Sequence, residues 1–357
     1  MTARTVVLCA DDFGMTPGVS RAILALARAG RLSATSAMTT LPFLARFAPA
    51  LGESGIAVGL HLNLTAGPPL GPMPRLAPGG ALPPLGRLMR AALAGRLPEA
   101  EAADEIARQL AAFEAAFGRP PDFVDGHQHV HVLPGVRSAL LAALARLGAT
   151  PRPSDRDAGV GVPPSACGGE GLGVGGASAW HFGVVGHAGA AFHPAMPPAA
   201  PPTLRPFPPQ VGGGRPAPAS RPTGNGSGVW LRDPSERVLA LLRRPAAAKA
   251  LVATGLARGL AGDATRAGLA VNRGFSGFSD FSGGAAAVAE TFSRSLADLG
   301  PAPLVMCHPG EANDPDLAGL DPVVATRPLE AAYLASDAFG RMLEERDLVL
   351  APRPSRV

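Results

Sequence analysis

The first half of the chain alternates short β-branched runs with apolar residues at helical spacing. Thr5–Cys9 reads as a strand, Val19–Leu32 as a helix with Ile23, Leu24 and Leu26 on its buried side, and Ile56–Leu64 as a second strand. Ile106, Leu110, Phe113 and Phe117 fall at i, i+4, i+7 and i+11, one face of a helix, and Gly118 with Pro120 and Pro121 supplies its stop. Phe123–Asp125 makes a further short strand. Pattern is lost after Thr150 and returns at Val229. From there strands are predicted at Val229–Arg232, Leu304–Cys307 and Leu348–Leu350, and helices over Pro234–Leu260, Ala285–Leu299 and Leu329–Glu345. Alternating strands and helices argue for an α/β fold with parallel strands, in which functional residues collect at the carboxyl ends of the strands.

The stretch between the two patterned regions differs in kind. Residues 151–228 hold 15 Pro and 17 Gly in 78 positions, and neither helical nor alternating spacing survives there. So long a structureless segment is foreign to a core and reads as a disordered, low-complexity insertion. Residues 3–150 and 229–352 then form one interrupted domain. With 46% apolar and 17% charged residues, the chain is neither a charge-rich disordered protein nor a coiled coil. No uninterrupted apolar run approaches the ~18 residues of a membrane span. The formal charge is +4, but Lys249 is the single lysine and the arginines are scattered. Without a basic stripe, and with three Tyr and Trp residues in all, nucleic-acid binding is not expected. Cys9, Cys167 and Cys307 are odd in number and far apart, which fits a reducing cytoplasm better than a disulfide framework.

Candidate chemistry lies at the strand ends. Asp11 and Asp12 follow the first strand directly; adjacent carboxylates repel, which favours a nearby cation or a raised pKa, although an acidic turn ahead of a helix explains them equally well. His61 sits inside the strand Gly59-Leu60-His61-Leu62-Asn63-Leu64, where a satisfied core histidine and a ligand are both open readings. Asp125-Gly126-His127-Gln128-His129-Val130-His131 is harder to explain by packing, because each buried imidazole needs a polar partner. This stretch points to metal binding, with alternation allowing His127, His129 and His131 one shared side and not requiring all three as ligands. His308, in Cys307-His308-Pro309-Gly310, also ends a strand. His181, His187 and His193 match no metal-binding spacing.

In order and spacing, Ala10-Asp11-Asp12-Phe13-Gly14 and the three histidine-bearing stretches resemble the YdjC-like family of metal-dependent carbohydrate deacetylases, which includes chitooligosaccharide deacetylases and proteins associated with hopanoid biosynthesis. The resemblance implies a distorted TIM-like β/α barrel, often dimeric. It implies that Asp12, His61 and His127 bind a divalent metal, Mg2+ or Zn2+, that Asp11 is the catalytic base and that His308 is the acid. The substrate would be an N-acetylated carbohydrate, and the products acetate and a free amino sugar. One carboxylate and two imidazoles leave coordination positions open, as a catalytic ion requires. The same site acting on another amide or a phosphoester, or a metal-binding protein inactivated by the insertion, are the competing readings. Phe275, Phe278 and Phe281 are read either as loop packing or as an aromatic wall for a sugar, with Arg232 and Asp280 as polar contacts.

Overall fold

The computed structural model describes residues 3–149, 228–241, 243–244 and 246–355. The expected disordered insertion, and with it Cys167, His181, His187 and His193, lies outside the described residues.

Among the described residues, nine strands form one parallel sheet: β1 (Arg4–Phe13), β2 (Ala34–Ala37), β3 (Ala57–Leu62), β4 (Phe123–Gly126), β5 (Trp230–Leu231), β6 (Ala270–Val271), β7 (Phe275–Ser276), β8 (Leu304–Cys307) and β9 (Leu348–Leu350). Their order, β6-β5-β4-β3-β2-β1-β8-β7, is the cyclic order of an eight-stranded barrel with one ladder missing, that between β6 and β7. An isolated antiparallel bridge joins Arg273, in the link from β6 to β7, to Ala302 ahead of β8. The fold is thus a distorted TIM-like barrel. The long β1 makes three pairings, with β2 along one edge and along the other with β9 through its first residues and with β8 through Val7–Ala10.

Eleven helices surround the sheet among the described residues: α1 (Pro17–Arg28), α2 (Leu44–Gly52), α3 (Leu85–Leu93), α4 (Glu99–Phe117), α5 (Val136–Ala149), α6 (Val238–Leu241), α7 (Ala247–Leu256), α8 (Leu260–Arg266), α9 (Ala285–Ser295), α10 (Arg327–Ala335) and α11 (Asp337–Glu345). Local chemistry sets their ends. Thr16 caps α1 by accepting the Val19 N–H, with Pro17 in the first turn. Gly118 ends α4 in the left-handed conformation.

Two expected helices are divided. Pro234–Leu260 is α6 and α7, separated by Ala246 at φ 51°. Leu329–Glu345 is α10 and α11, because Ser336 turns extended and caps a new helix by accepting the Phe339 N–H. No helix among the described residues is long and apolar enough to cross a membrane.

Strand alternation sorts side chains into two clusters. Val6, Leu8, Ala10, Leu60, Val124, Leu231 and Val305 pack outward against the helices. Val7, Cys9, Ala34, Ala57, Phe123, Trp230, Leu304 and Met306 form the inner one, where Phe123 stacks on Trp230 at 4.4 Å. Space there is tight. A Cβ on Gly59 would lie 2.5 Å from the Phe123 ring, so β3 carries glycine opposite the largest inner side chain.

Candidate active site

Continuing each inner row by two residues leads from apolar core to polar crown. Cys9 is followed by Asp11, Ala34 by Ser36, Gly59 by His61, Phe123 by Asp125, Trp230 by Arg232 and Met306 by His308. Six neighbouring strands each deliver one polar side chain to the carboxyl end of the barrel. Asp12 breaks this parity. Between Ala10 and Phe13 the β1–β2 register slips by one residue, and Asp12 stands at φ 71°. This bulge re-aims Asp12, so that both consecutive aspartates serve the site.

Asp12, His61 and His127 come together. Asp12 Oδ1 lies 3.1 Å from His61 Nε2 and 3.0 Å from His127 Nδ1, and all three side chains are buried. One ligand atom from each falls within 4.8 Å of the others. The other imidazole nitrogen of His127, Nε2, is buried without a partner, and the donor set of one carboxylate oxygen and two imidazoles suits a divalent cation. His61 Nδ1 is 2.7 Å from Asp125 Oδ1 and 2.9 Å from Ser36 Oγ. A carboxylate behind a ligating imidazole fixes its tautomer and ring orientation. Burial works against a charge on His61, but Asp125 and Asp12 prevail and push its pKa up to about 10.

Asp11 is held differently. Arg232 grips it with two bonds, Nη1 to Oδ2 and Nη2 to Oδ1, each 2.7 Å. Arg232 Nη2 also lies 2.5 Å from Asp125 Oδ2 and 3.0 Å from Cys9 Sγ. The guanidinium therefore occupies the second cluster of potential ligands, Cys9, Asp11 and Asp125. Burial raises the Asp11 pKa, yet the Arg232 charge outweighs it and holds the carboxyl well below the usual range. His308 Nε2 is 4.0 Å from Asp11 Oδ2, and its backbone N–H donates to Glu330 Oε2 at 2.6 Å.

The remaining histidines part company, because Gln128 (φ 52°) and His129 (φ 58°) are left-handed and end the alternation. His131 Nε2 donates to the Arg232 carbonyl at 3.0 Å, and burial drives its pKa down to about 4. His129 packs edge-on to Phe275 and Phe278. Those two phenylalanines are 1% and 5% exposed, and Arg232 is fully buried. The expected sugar contacts Arg232, Phe275 and Phe278 are thus buried, Arg232 against Asp11 and Asp125 and the two rings against each other and His129. Asp280 is exposed and accepts the Ser282 N–H. Phe281 is the aromatic beside His308, 5.2 Å away and edge-on.

Sequence reasoning named Asp125 within its motif without giving it a task, and passed over Arg327 entirely. Arg327 Nη2 bonds Asp12 Oδ2 at 2.6 Å and Asp321 Oδ2 at 3.0 Å from a wholly buried position. Nothing in its surroundings in the sequence sets this arginine apart; parity along the strands, by contrast, would have found Asp125.

The YdjC-like protein family model matches residues 5–345. The chain belongs to this family. Among YdjC-like relatives, a carbohydrate deacetylase of Mus musculus is 36% identical over 161 residues, covering 43% of this chain and 52% of that protein. A chitooligosaccharide deacetylase of Serratia marcescens is 38% identical over 157 residues, or 43% of this chain and 60% of that one. The matched part thus spans half to three-fifths of these relatives' length. A solved structure from Enterococcus faecalis V583, described as a cellobiose-phosphate cleavage protein, superposes with a TM-score of 0.58 over 98% of this chain and 97% of its own. At 17% identity it shares the fold of this YdjC-like protein, and nothing further is taken from it.

Proposed function

We propose that this protein is a metal-dependent hydrolase that removes N-acetyl groups from a carbohydrate. The observation that carries the reading is the meeting of Asp12, His61 and His127 in one buried donor set, with Asp11 next to Asp12 in the chain and His308 Nε2 4.0 Å from Asp11 Oδ2. The names of the family's matched relatives supply the substrate class.

Asp12, His61 and His127 would hold Mg2+ or Zn2+, both compatible with this donor set. A divalent ion supplies Lewis acidity, making water acidic near neutral pH and polarising an amide carbonyl. Asp125 keeps the His61 proton on Nδ1 and so leaves Nε2 free to ligate. Asp11, kept anionic and fixed in direction by Arg232, accepts the proton of the attacking water. Arg232 makes Asp11 reliable in charge at a cost in basicity. His308, in its protonated form, stabilises the developing oxyanion and donates a proton to the departing amine. Water adds across the amide, releasing acetate and the free amino sugar. Arg232, Phe275 and Phe278 support the catalytic groups, and Asp280 is left at the rim for the sugar.

The test is incubation of the metal-loaded full chain with a library of N-acetylated glycans, lipid-linked ones included. Loss of acetyl mass with matching acetate release is expected. Phosphate release from simple phosphoesters without acetate release would replace this reading by that of a phosphoesterase.

A further inference from the structure

Asp12 divides its two oxygens between different partners. Oδ1 faces His61 Nε2 and His127 Nδ1, while Oδ2 accepts a charge-assisted bond from Arg327. The arginine is itself fixed. Nη2 also reaches Asp321 Oδ2, and Nε donates to the Val323 carbonyl at 2.7 Å. Its backbone carbonyl accepts the Gly310 N–H at 3.1 Å, which closes the base of the long loop after His308. The approach is close, since a Cβ at 310 would sit 3.1 Å from Arg327 Cβ and 3.2 Å from its Cδ. One turn further along α10, Glu330 accepts the His308 N–H. The first turn of this helix is therefore bonded to both sides of the site.

For Asp12 to offer both oxygens to a cation, Oδ2 would have to abandon Arg327 and leave a buried guanidinium short of an acceptor. Calcium commonly takes two oxygens from one carboxylate, whereas zinc is satisfied by one oxygen and imidazole nitrogens. We infer that Arg327 is a positioning residue that restricts Asp12 to one oxygen and thereby biases the site against large, oxygen-rich coordination. This inference rests on the assignment of Asp12, His61 and His127 as metal ligands.

The test compares Zn2+, Mg2+ and Ca2+ affinities, measured by indicator competition on the full chain, for the wild type, Arg327→Gln and Arg327→Lys. A second set carries Asp321→Asn together with Arg327→Gln, which removes the cation and its other carboxylate at once and decides the matter if the single variant does not fold. Outer-shell partners change metal affinity by about 10–100-fold, so both Gln variants should move the Zn2+/Ca2+ preference toward Ca2+ by about tenfold or more. Lysine, a point charge that still occupies Oδ2, should restore most of the preference. Equal weakening for both ions, or an unchanged ratio, overturns the inference while the metal site stands. A wild type that binds neither Zn2+ nor Mg2+ would instead remove the metal reading on which it rests.

Discussion

Asp11 and Asp12 are neighbours in the chain, buried to the same degree, and each joins an arginine that also holds a second carboxylate. Asp11 shares Arg232 with Asp125, and Asp12 shares Arg327 with Asp321. What separates them is the number of oxygens left over. Arg232 takes both oxygens of Asp11, and Arg327 takes one of Asp12. In the proposed function, the aspartate with a spare oxygen aimed at two imidazoles is the ligand, and the one gripped in two places is the base. Residue type and position in sequence are nearly the same, so the difference in task comes from the one-residue bulge and from which arginine arrives.

Removing a ligand tests this contrast most severely. His61→Ala should take metal content to background by elemental analysis of dialysed protein, because two donors seldom retain a catalytic ion. Asp11→Asn should keep the metal and lose turnover by roughly 10²–10⁴-fold, the scale of general-base removal. Comparable metal loss in that variant would make Asp11 a ligand and erase the distinction.

The same substitution has a signature in stability. Because the folded pKa of Asp11 lies below its unfolded value, its pairing stabilises the fold above about pH 4 and loses that contribution as the pH falls further. The urea midpoints of wild type and Asp11→Asn should therefore differ most near neutrality and converge below pH 4. Asp125→Asn, which weakens the hold on both His61 and Arg232, should cost about 10–100-fold in metal affinity by calorimetry. Ser36→Ala removes only the weaker of the two partners of His61 Nδ1 and should cost about 1 kcal/mol or less in the urea midpoint.

The crown of the barrel was legible because its residues are polar interruptions at the ends of apolar strands. His61, His127 and His308 announce themselves in that way, as does Asp11-Asp12. Strand β2 did not, since Ala34-Thr35-Ser36-Ala37 is fully buried yet carries no hydrophobic run. The two-residue strands β6 and β7 are too short for any periodicity to register. Three histidines at alternating positions suggested a shared side, and two left-handed residues sent them to three different tasks. Arg327 was hidden for another reason. Its role arises from a contact across 315 positions in the chain, and an arginine opening a helix carries no local mark of the carboxylate it will meet.

Phe123 and Trp230, paired in β4 and β5, lie 107 positions apart, and 78 of those belong to the Gly/Pro-rich segment. Closing that larger loop in the unfolded chain costs about 1 kcal/mol more than closing one without it. Strands β1 to β4 follow one another at much shorter separations, so they gather first and β5 docks late. Arg232 travels with β5. Until it arrives, Asp11 and Asp125 are two like charges facing each other without their cation, and assembly of the barrel and neutralisation of its centre become a single event. Refolding of a Trp180→Phe variant, followed by fluorescence of Trp230, should show that event as a phase later than the gathering of β1 to β4, faster when the carboxylates are protonated. A Trp230 signal that completes before the rest of the sheet would contradict this order.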